Sequence, residues 1–143
     1  GSSVIVRGSR LYYANFDGYI GCHNLERDET EWRYRLQGAI TVDTVMDGEY
    51  LFAVSSGGDV VKLSLEGMPV WRVNLGGPVE RSPYVTGSGL YVLSRRVFYV
   101  FDTEKGTVQW SLVTPSESAT NIAVAGRTMY FGTEENGIYR IKK

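Results

Sequence analysis

An all-β fold, built by copying one small antiparallel sheet in tandem, is what this sequence predicts, and two observations carry it. The first is a repeat. Trp32, Trp71 and Trp110 are the three tryptophans of the chain and stand 39 residues apart. The interval recurs in Gly67 and Gly106, each four residues before a tryptophan with Asp28 in the same place of the first copy, and in Gly48, Gly87 and Gly126. It recurs again in Tyr12, Leu51, Leu90 and Met129, followed by Tyr13, Phe52, Tyr91 and Tyr130. A glycine column beside an apolar and aromatic column puts a turn and a buried strand at the same point of every copy. The second observation is the hydrophobic period inside a copy. Short apolar or alternating runs of about five to seven residues, rich in β-branched and aromatic types, are separated by turn residues. No segment spaces its apolar residues helically over three turns.

The elements follow in order. With the strands of a copy named A to D, the first copy reads A at Val4 to Arg7, B at Leu11 to Asn15, C at Tyr19 to Leu25 and D at Glu31 to Leu36. In the second, Tyr50 to Val54 is an apolar run, Ser55 to Gly58 a turn and Val60 to Leu65 a run that shifts into alternation. Glu66 to Pro69 turns the chain and Trp71 to Leu75 alternates strictly. Gly76-Gly77-Pro78 then breaks the pattern before a run from Val79 to Thr86, the next A strand; its counterpart one copy earlier is Ile40 to Met46. The fourth copy reaches a C strand at Gly137 to Ile141, whose outer edge only the charges of Lys142 and Lys143 blunt. Four antiparallel strands repeated at about 40 residues make a β-propeller blade, whose twisted sheet packs face to face with the next. The expected architecture is three complete blades plus three strands of a fourth. Gly1-Ser2-Ser3 reads as a cloning scar, and the propeller segment runs over 4–143, in repeats of about 4–39, 40–78, 79–117 and 118–143.

Two stretches carry a family resemblance. Leu11-Tyr12-Tyr13-Ala14-Asn15-Phe16-Asp17-Gly18-Tyr19-Ile20 and Phe101-Asp102-Thr103-Glu104-Lys105-Gly106-Thr107-Val108-Gln109-Trp110 resemble the two halves of the repeat of pyrroloquinoline-quinone-type propellers. That repeat runs as an apolar strand, Asp-Gly, an aromatic and apolar strand, then Asp-x-x-x-Gly-x-x-x-Trp. The chain departs from it at Asn24 and Asp28, at Leu63, and at Arg95-Arg96, which replaces Asp-Gly. The family includes quinone-dependent alcohol and sugar dehydrogenases, lipoproteins of the outer-membrane β-barrel assembly machinery, and sensor or adhesion domains. The chain is closest in character to the non-enzymatic lipoproteins. The resemblance implies structural roles for Trp32, Trp71 and Trp110, and for Asp102 the role of a carboxylate binding turn amides near Trp110.

Catalysis, a cofactor and a bound metal are not expected. The resemblance ties the dehydrogenases to a complete ring, an adjacent cysteine pair and a calcium ion, whereas this chain has a single cysteine, Cys22, and so no intrachain disulfide. Cys22 reads as a small hydrophobe in a sheet. His23 is the lone histidine and has no partners at metal-site or triad spacing, so it reads as a surface or blade-packing side chain. Asp28-Glu29, Glu66, Glu104 and Glu134-Glu135 fall in turns and read as solvated, while Asp43 and Asp102 lie within strand patterns and are expected to be buried. Fifteen Lys and Arg against sixteen Asp and Glu give a net charge of −1, with no basic stripe to track phosphates, which argues against nucleic acid. No run approaches the roughly 18 apolar residues of a membrane span.

A protein partner is expected on the face carrying the B-to-C and D-to-A turns, where equivalent positions diverge most. Its candidate residues are Phe16 and Asp17, Arg95 and Arg96, and Glu134 and Glu135; Phe16 is a large apolar residue in a polar turn, and the arginines offer charge-assisted bonds to carboxylates. The fourth copy has no D strand in this sequence, which leaves three readings: a piece of a longer propeller, a half-ring that pairs as a homodimer into eight blades, or a closed four-blade ring. The expected function is a non-catalytic, extracytoplasmic protein-binding or scaffold module, in the periplasm, secreted or at the cell surface. The alternatives are a fragment of a quinone-dependent dehydrogenase and a ligand-sensing domain of a membrane receptor.

Overall fold

Residues 4–142 are described by a computed structural model; Gly1 to Ser3, read from the sequence as a scar, and Lys143 lie outside the described residues. The first sheet is β1 (Val4–Arg7), β2 (Arg10–Ala14), β3 (Tyr19–Asn24) and β4 (Glu29–Arg35), in that spatial order. The second is β5 (Val45–Asp47), β6 (Tyr50–Val54), β7 (Asp59–Ser64) and β8 (Pro69–Asn74), and the third is β9 (Tyr84–Thr86), β10 (Gly89–Ser94), β11 (Val97–Asp102) and β12 (Val108–Val113). The fourth has three strands, β13 (Ala123–Ala125), β14 (Thr128–Thr133) and β15 (Gly137–Lys142). Every pairing is antiparallel and between chain neighbours, as in propeller blades. Gly8, Gly48, Gly87 and Gly126 open the two-residue A-to-B hairpins with φ between +57° and +62°, the left-handed backbone that such turns require.

Three features differ from the sequence expectation. The A strands of the second and third blades are three residues long, because 40–44 and 79–83 are spent crossing back from the rim to the axis. The amides of Ile40 and Val79 bond to the preceding blade, and Pro83 has none to give. The columns also shift by one residue in the first copy. Leu11 pairs with Val6 as Leu51 does with Met46 and Leu90 with Val85, so Leu11, not Tyr12, matches Leu51, and Tyr12 matches Phe52. The first copy holds one more residue between its C strand and its tryptophan than the second, so the tryptophans keep 39 while the B strands stand 40 apart. A one-residue slip exchanges the faces of a strand, which is why Tyr12 is buried. Third, Asp43 is exposed, in the crossing segment and not within a strand.

The core lies between sheets. One cluster joins the first two blades through Tyr12, Ile20, Cys22, Leu51, Val61 and Leu63; a second joins blades two and three through Phe52, Val60, Leu90 and Phe101; a third joins blades three and four through Leu93, Phe98, Met129 and Phe131. Among the described residues no core cluster joins the fourth sheet to the first.

Candidate partner-binding face

The B-to-C and D-to-A turns form one end of the blades, and backbone hydrogen bonds lock them together in the same way three times. The amides of Leu36, Leu75 and Thr114 donate to the carbonyls of Gly18, Gly58 and Arg96, closing each blade's own turn pair at 2.8, 2.9 and 2.7 Å. Ile40, Val79 and Ser118 then donate to Asn15, Ser55 and Arg95 at 3.4, 3.0 and 2.7 Å, tying each crossing segment to the blade it leaves. The next blade joins through Ser56, whose amide bonds to Ala39 and whose hydroxyl accepts the Ala39 amide, and through Glu134, whose amide bonds to Glu117. Backbone groups satisfied in this way hold loop side chains on a rigid base.

Phe16 is 75 % exposed, and Asp17, Arg95, Arg96, Glu134 and Glu135 are all exposed. Arg95 has φ +52°, uncommon for a residue with a Cβ, in the two-residue hairpin between Ser94 and Val97. It borders two adjoining hollows. One, of about 210 Å³, is lined by Pro78, Glu80, Arg81, Leu93 and Glu117; the other, of about 390 Å³, by Leu75, Pro78, Arg96, Val97 and Tyr99. Arg95 and Arg96 therefore share a groove between the second and third blades, while Phe16 and Asp17 stand on the first blade and line neither hollow.

Beneath this face lies a group that sequence reasoning missed. Asp59 is 2 % exposed and accepts bonds from the Gln37 amide at 2.6 Å, Arg72 Nη2 at 2.6 Å and Asn74 Nδ2 at 3.0 Å. Arg72 also donates to the Tyr34 hydroxyl and the Arg35 carbonyl, so the ion pair clips the second blade to the first. The matching positions in the other complete blades are Tyr19 and Val97, so no repeat column marked Asp59; its place directly after Gly57-Gly58 was the only signal.

The opposite end holds the structural residues. Each tryptophan follows a β-bulge, with Glu31, Val70 or Gln109 left out of register just before it. The bulge aims the indole at the next blade. Trp32 Nε1 donates to the Leu65 carbonyl and Trp71 Nε1 to the Thr103 carbonyl, both at 2.9 Å. The position that matches Leu65 and Thr103 in the fourth copy is Lys143, outside the described residues, and Trp110 is 44 % exposed. Gly67 and Gly106 also lie under the indole of the preceding blade: a methyl on Gly67 would come within 2.5 Å of Trp32 Cδ2, and one on Gly106 would collide likewise with Trp71. Asp102 is partly buried and accepts the amides of Glu104 and Lys105 at 2.8 and 3.1 Å, bonds that, with Lys105 leading, hold its carboxyl below the usual range.

Cys22 is fully buried, and burial, followed by the charge of Glu31, pushes its thiol up to about 11. Glu31 is held down to about 2, first by its bond to Arg10 at 2.6 Å and then by Asn24 at 3.0 Å. Lys62 occupies the place matching Cys22 one blade later; it is 7 % exposed, bonds the Thr103 carbonyl at 2.8 Å and lies 4.1 Å from the Tyr50 ring centroid. His23 stands 2.9 Å from Asp28, and among the described residues no three His, Cys, Asp or Glu gather as a metal site would need. Among the described residues no helix is long and apolar enough to cross a membrane.

Residues 16–142 match the family described as outer membrane protein assembly factor BamB. The chain belongs to this BamB family. Among solved structures it is similar to BamB from Moraxella catarrhalis, with a TM-score of 0.80 and 17 % identity over 99 % of this chain and 42 % of that one. It is also similar to two computationally designed proteins. Ika4 superposes with a TM-score of 0.82 at 10 % identity, over 97 % of this chain and 88 % of its own; Ika8 gives 0.83 at 9 %, over 98 % and 45 %. At these identities the likeness shows the fold. The chain thus spans less than half the length of the Moraxella BamB. No curated protein matches it by sequence.

Proposed function

We propose that this chain is a non-catalytic protein-binding scaffold module of extracytoplasmic type, presenting its B-to-C and D-to-A turns to a protein partner. The observation that carries the reading is the threefold lock of Ile40, Val79 and Ser118 onto the preceding turns, which fixes the backbone of a face whose exposed side chains differ from blade to blade. A rigid base lowers the ordering cost of binding, and diverged side chains supply recognition. The groove between blades two and three, with Arg95, Arg96 and Tyr99 at its edge, suits a partner segment bearing a carboxylate beside an apolar side chain. Membership in a family described as an outer membrane protein assembly factor supports both the scaffold role and the extracytoplasmic location.

A photo-crosslinking residue at position 96, with Val70 on the rim as control, tests the reading in envelope extracts. The expected result is one protein adduct at 96, absent at 70 and abolished by Arg95→Glu. Equal adducts at both positions would refute the face. Stoichiometric binding of pyrroloquinoline quinone with calcium, accompanied by dye reduction on alcohols or aldoses, would refute the non-catalytic role.

A further inference from the structure

At the end of the blades opposite the turn face, a hollow of about 480 Å³ opens between the first and second sheets. Tyr12, Trp32 and Leu65 give it an apolar floor, and five charged side chains line it. Two of these are arginines whose charge is already met: Arg7 Nη2 bonds Glu49 at 2.8 Å, and Arg10 Nε bonds Glu31 at 2.6 Å. The fifth is Glu66, whose exposed side chain has no hydrogen bond or ion pair among the described residues. The hollow therefore carries one negative charge in excess, and both guanidinium groups that could hold an anion are already paired.

The next interface shows what such a place holds. Register matches Arg10 to Tyr50, Tyr12 to Phe52 and Cys22 to Lys62. The indole bonds match Trp32 to Trp71 and the Leu65 carbonyl to that of Thr103. Between the second and third blades the protein supplies its own amine. The Lys62 ammonium bonds the Thr103 carbonyl at 2.8 Å and lies 4.1 Å from the Tyr50 ring centroid and 5.7 Å from that of Phe52. An ammonium on a methylene stem suits the place, because the stem covers apolar surface while the charge meets an oxygen and ring faces. Between the first and second blades Cys22 stops at its sulfur, 3.6 Å from Glu31, and the hollow lies over the residues that match the surroundings of Lys62.

We propose that this hollow is a binding site for an alkylammonium group, a primary amine on a stem of about four methylenes like that of lysine, with the stem on Tyr12 and Trp32 and the charge between Glu66 and the Leu65 carbonyl. One positive charge neutralises the excess, and the site lies at the other end of the blades from the proposed partner face, so it does not rest on that reading.

Titration with n-pentylamine, followed by proton–nitrogen correlation spectra, tests the proposal. The Trp32 indole signal should shift saturably, with a Kd on the order of 1–10 mM, while those of Trp71 and Trp110 stay in place. The uncharged n-pentanol and the anionic pentanoate should not produce the shift. Glu66→Gln alters an exposed side chain, so it should fold as the parent does, and it should weaken binding about tenfold. Cys22→Lys places an amine in the hollow as Lys62 does one blade later, and should abolish binding. Tighter binding of Nα-acetyl-lysine N-methylamide than of cadaverine assigns the site to a lysine side chain of a protein, and the reverse order to a free amine. Absence of a saturable Trp32 shift, an equal response to pentanoate or pentanol, or unchanged affinity in Glu66→Gln overturns the proposal.

Discussion

Substituting Gly106 by Ala tests the contact that explains why a glycine precedes each later tryptophan. Two effects add. Gly106 has φ +71°, where a Cβ costs about 1–2 kcal/mol. The methyl would also meet the Trp71 indole, which is stacked at 6.1 Å on Phe101 and tilted at 6.3 Å to Phe52, so it cannot retreat without disturbing the core. Overpacking of this kind costs about 1–3 kcal/mol, and weakening the Trp71 to Thr103 bond adds about 1 kcal/mol. The expected loss is about 3–6 kcal/mol. Gly87→Ala in the same blade is the control: its φ is +57°, but no atom lies within 4 Å of the added methyl, so it should lose only the backbone cost of about 1–2 kcal/mol. Urea denaturation of both variants, followed by circular dichroism, measures the difference. If Gly106→Ala falls within about 0.5 kcal/mol of Gly87→Ala, the indole does not seat on the glycine and the account of that column is wrong.

Trp71→Ala should cost about 3–5 kcal/mol, because its indole is bonded to and packed against the third blade, whereas the exposed Trp110 should cost less than half as much; equal losses on denaturation would contradict the latch. The Glu31 carboxyl is depressed from its ordinary 4.5 to about 2, so the stability it contributes is complete above pH 4.5 and is lost as pH falls toward 2. Glu31→Gln should flatten the pH dependence of the melting temperature in that window, and at pH 7–9 should lower the melting temperature without changing its slope with pH. The Cys22 thiol, raised to about 11 and fully buried, should resist alkylation at pH 8 in the native protein and react at once in urea; rapid native labelling would show that the first interface opens.

The repeat by itself determined the number of blades, the strand order within each and the turns between them, because a buried strand and a tight turn restrict residue type wherever they recur. Trp32, Trp71 and Trp110 were legible as one column for that reason. The position of Phe16, Arg95, Arg96, Glu134 and Glu135 in exposed turns followed from the same frame. What the sequence could not give is anything that depends on a neighbour outside the copy. The spacing of the tryptophans concealed the one-residue offset of the B strands, which the C-to-D turns absorb, and so set Tyr12 in one column with Leu51 instead of Phe52. Gly67 read as a turn residue, and only the packed sheets show Trp32 lying on it. Asp59 broke no pattern that a single copy displays, yet it joins Gln37, Arg72 and Asn74 because the chain returns past it twice. Periodicity records what each blade needs for itself, whereas contacts between blades pair residues some 20 to 40 positions apart and differ at each interface, so only the assembled sheets decide them.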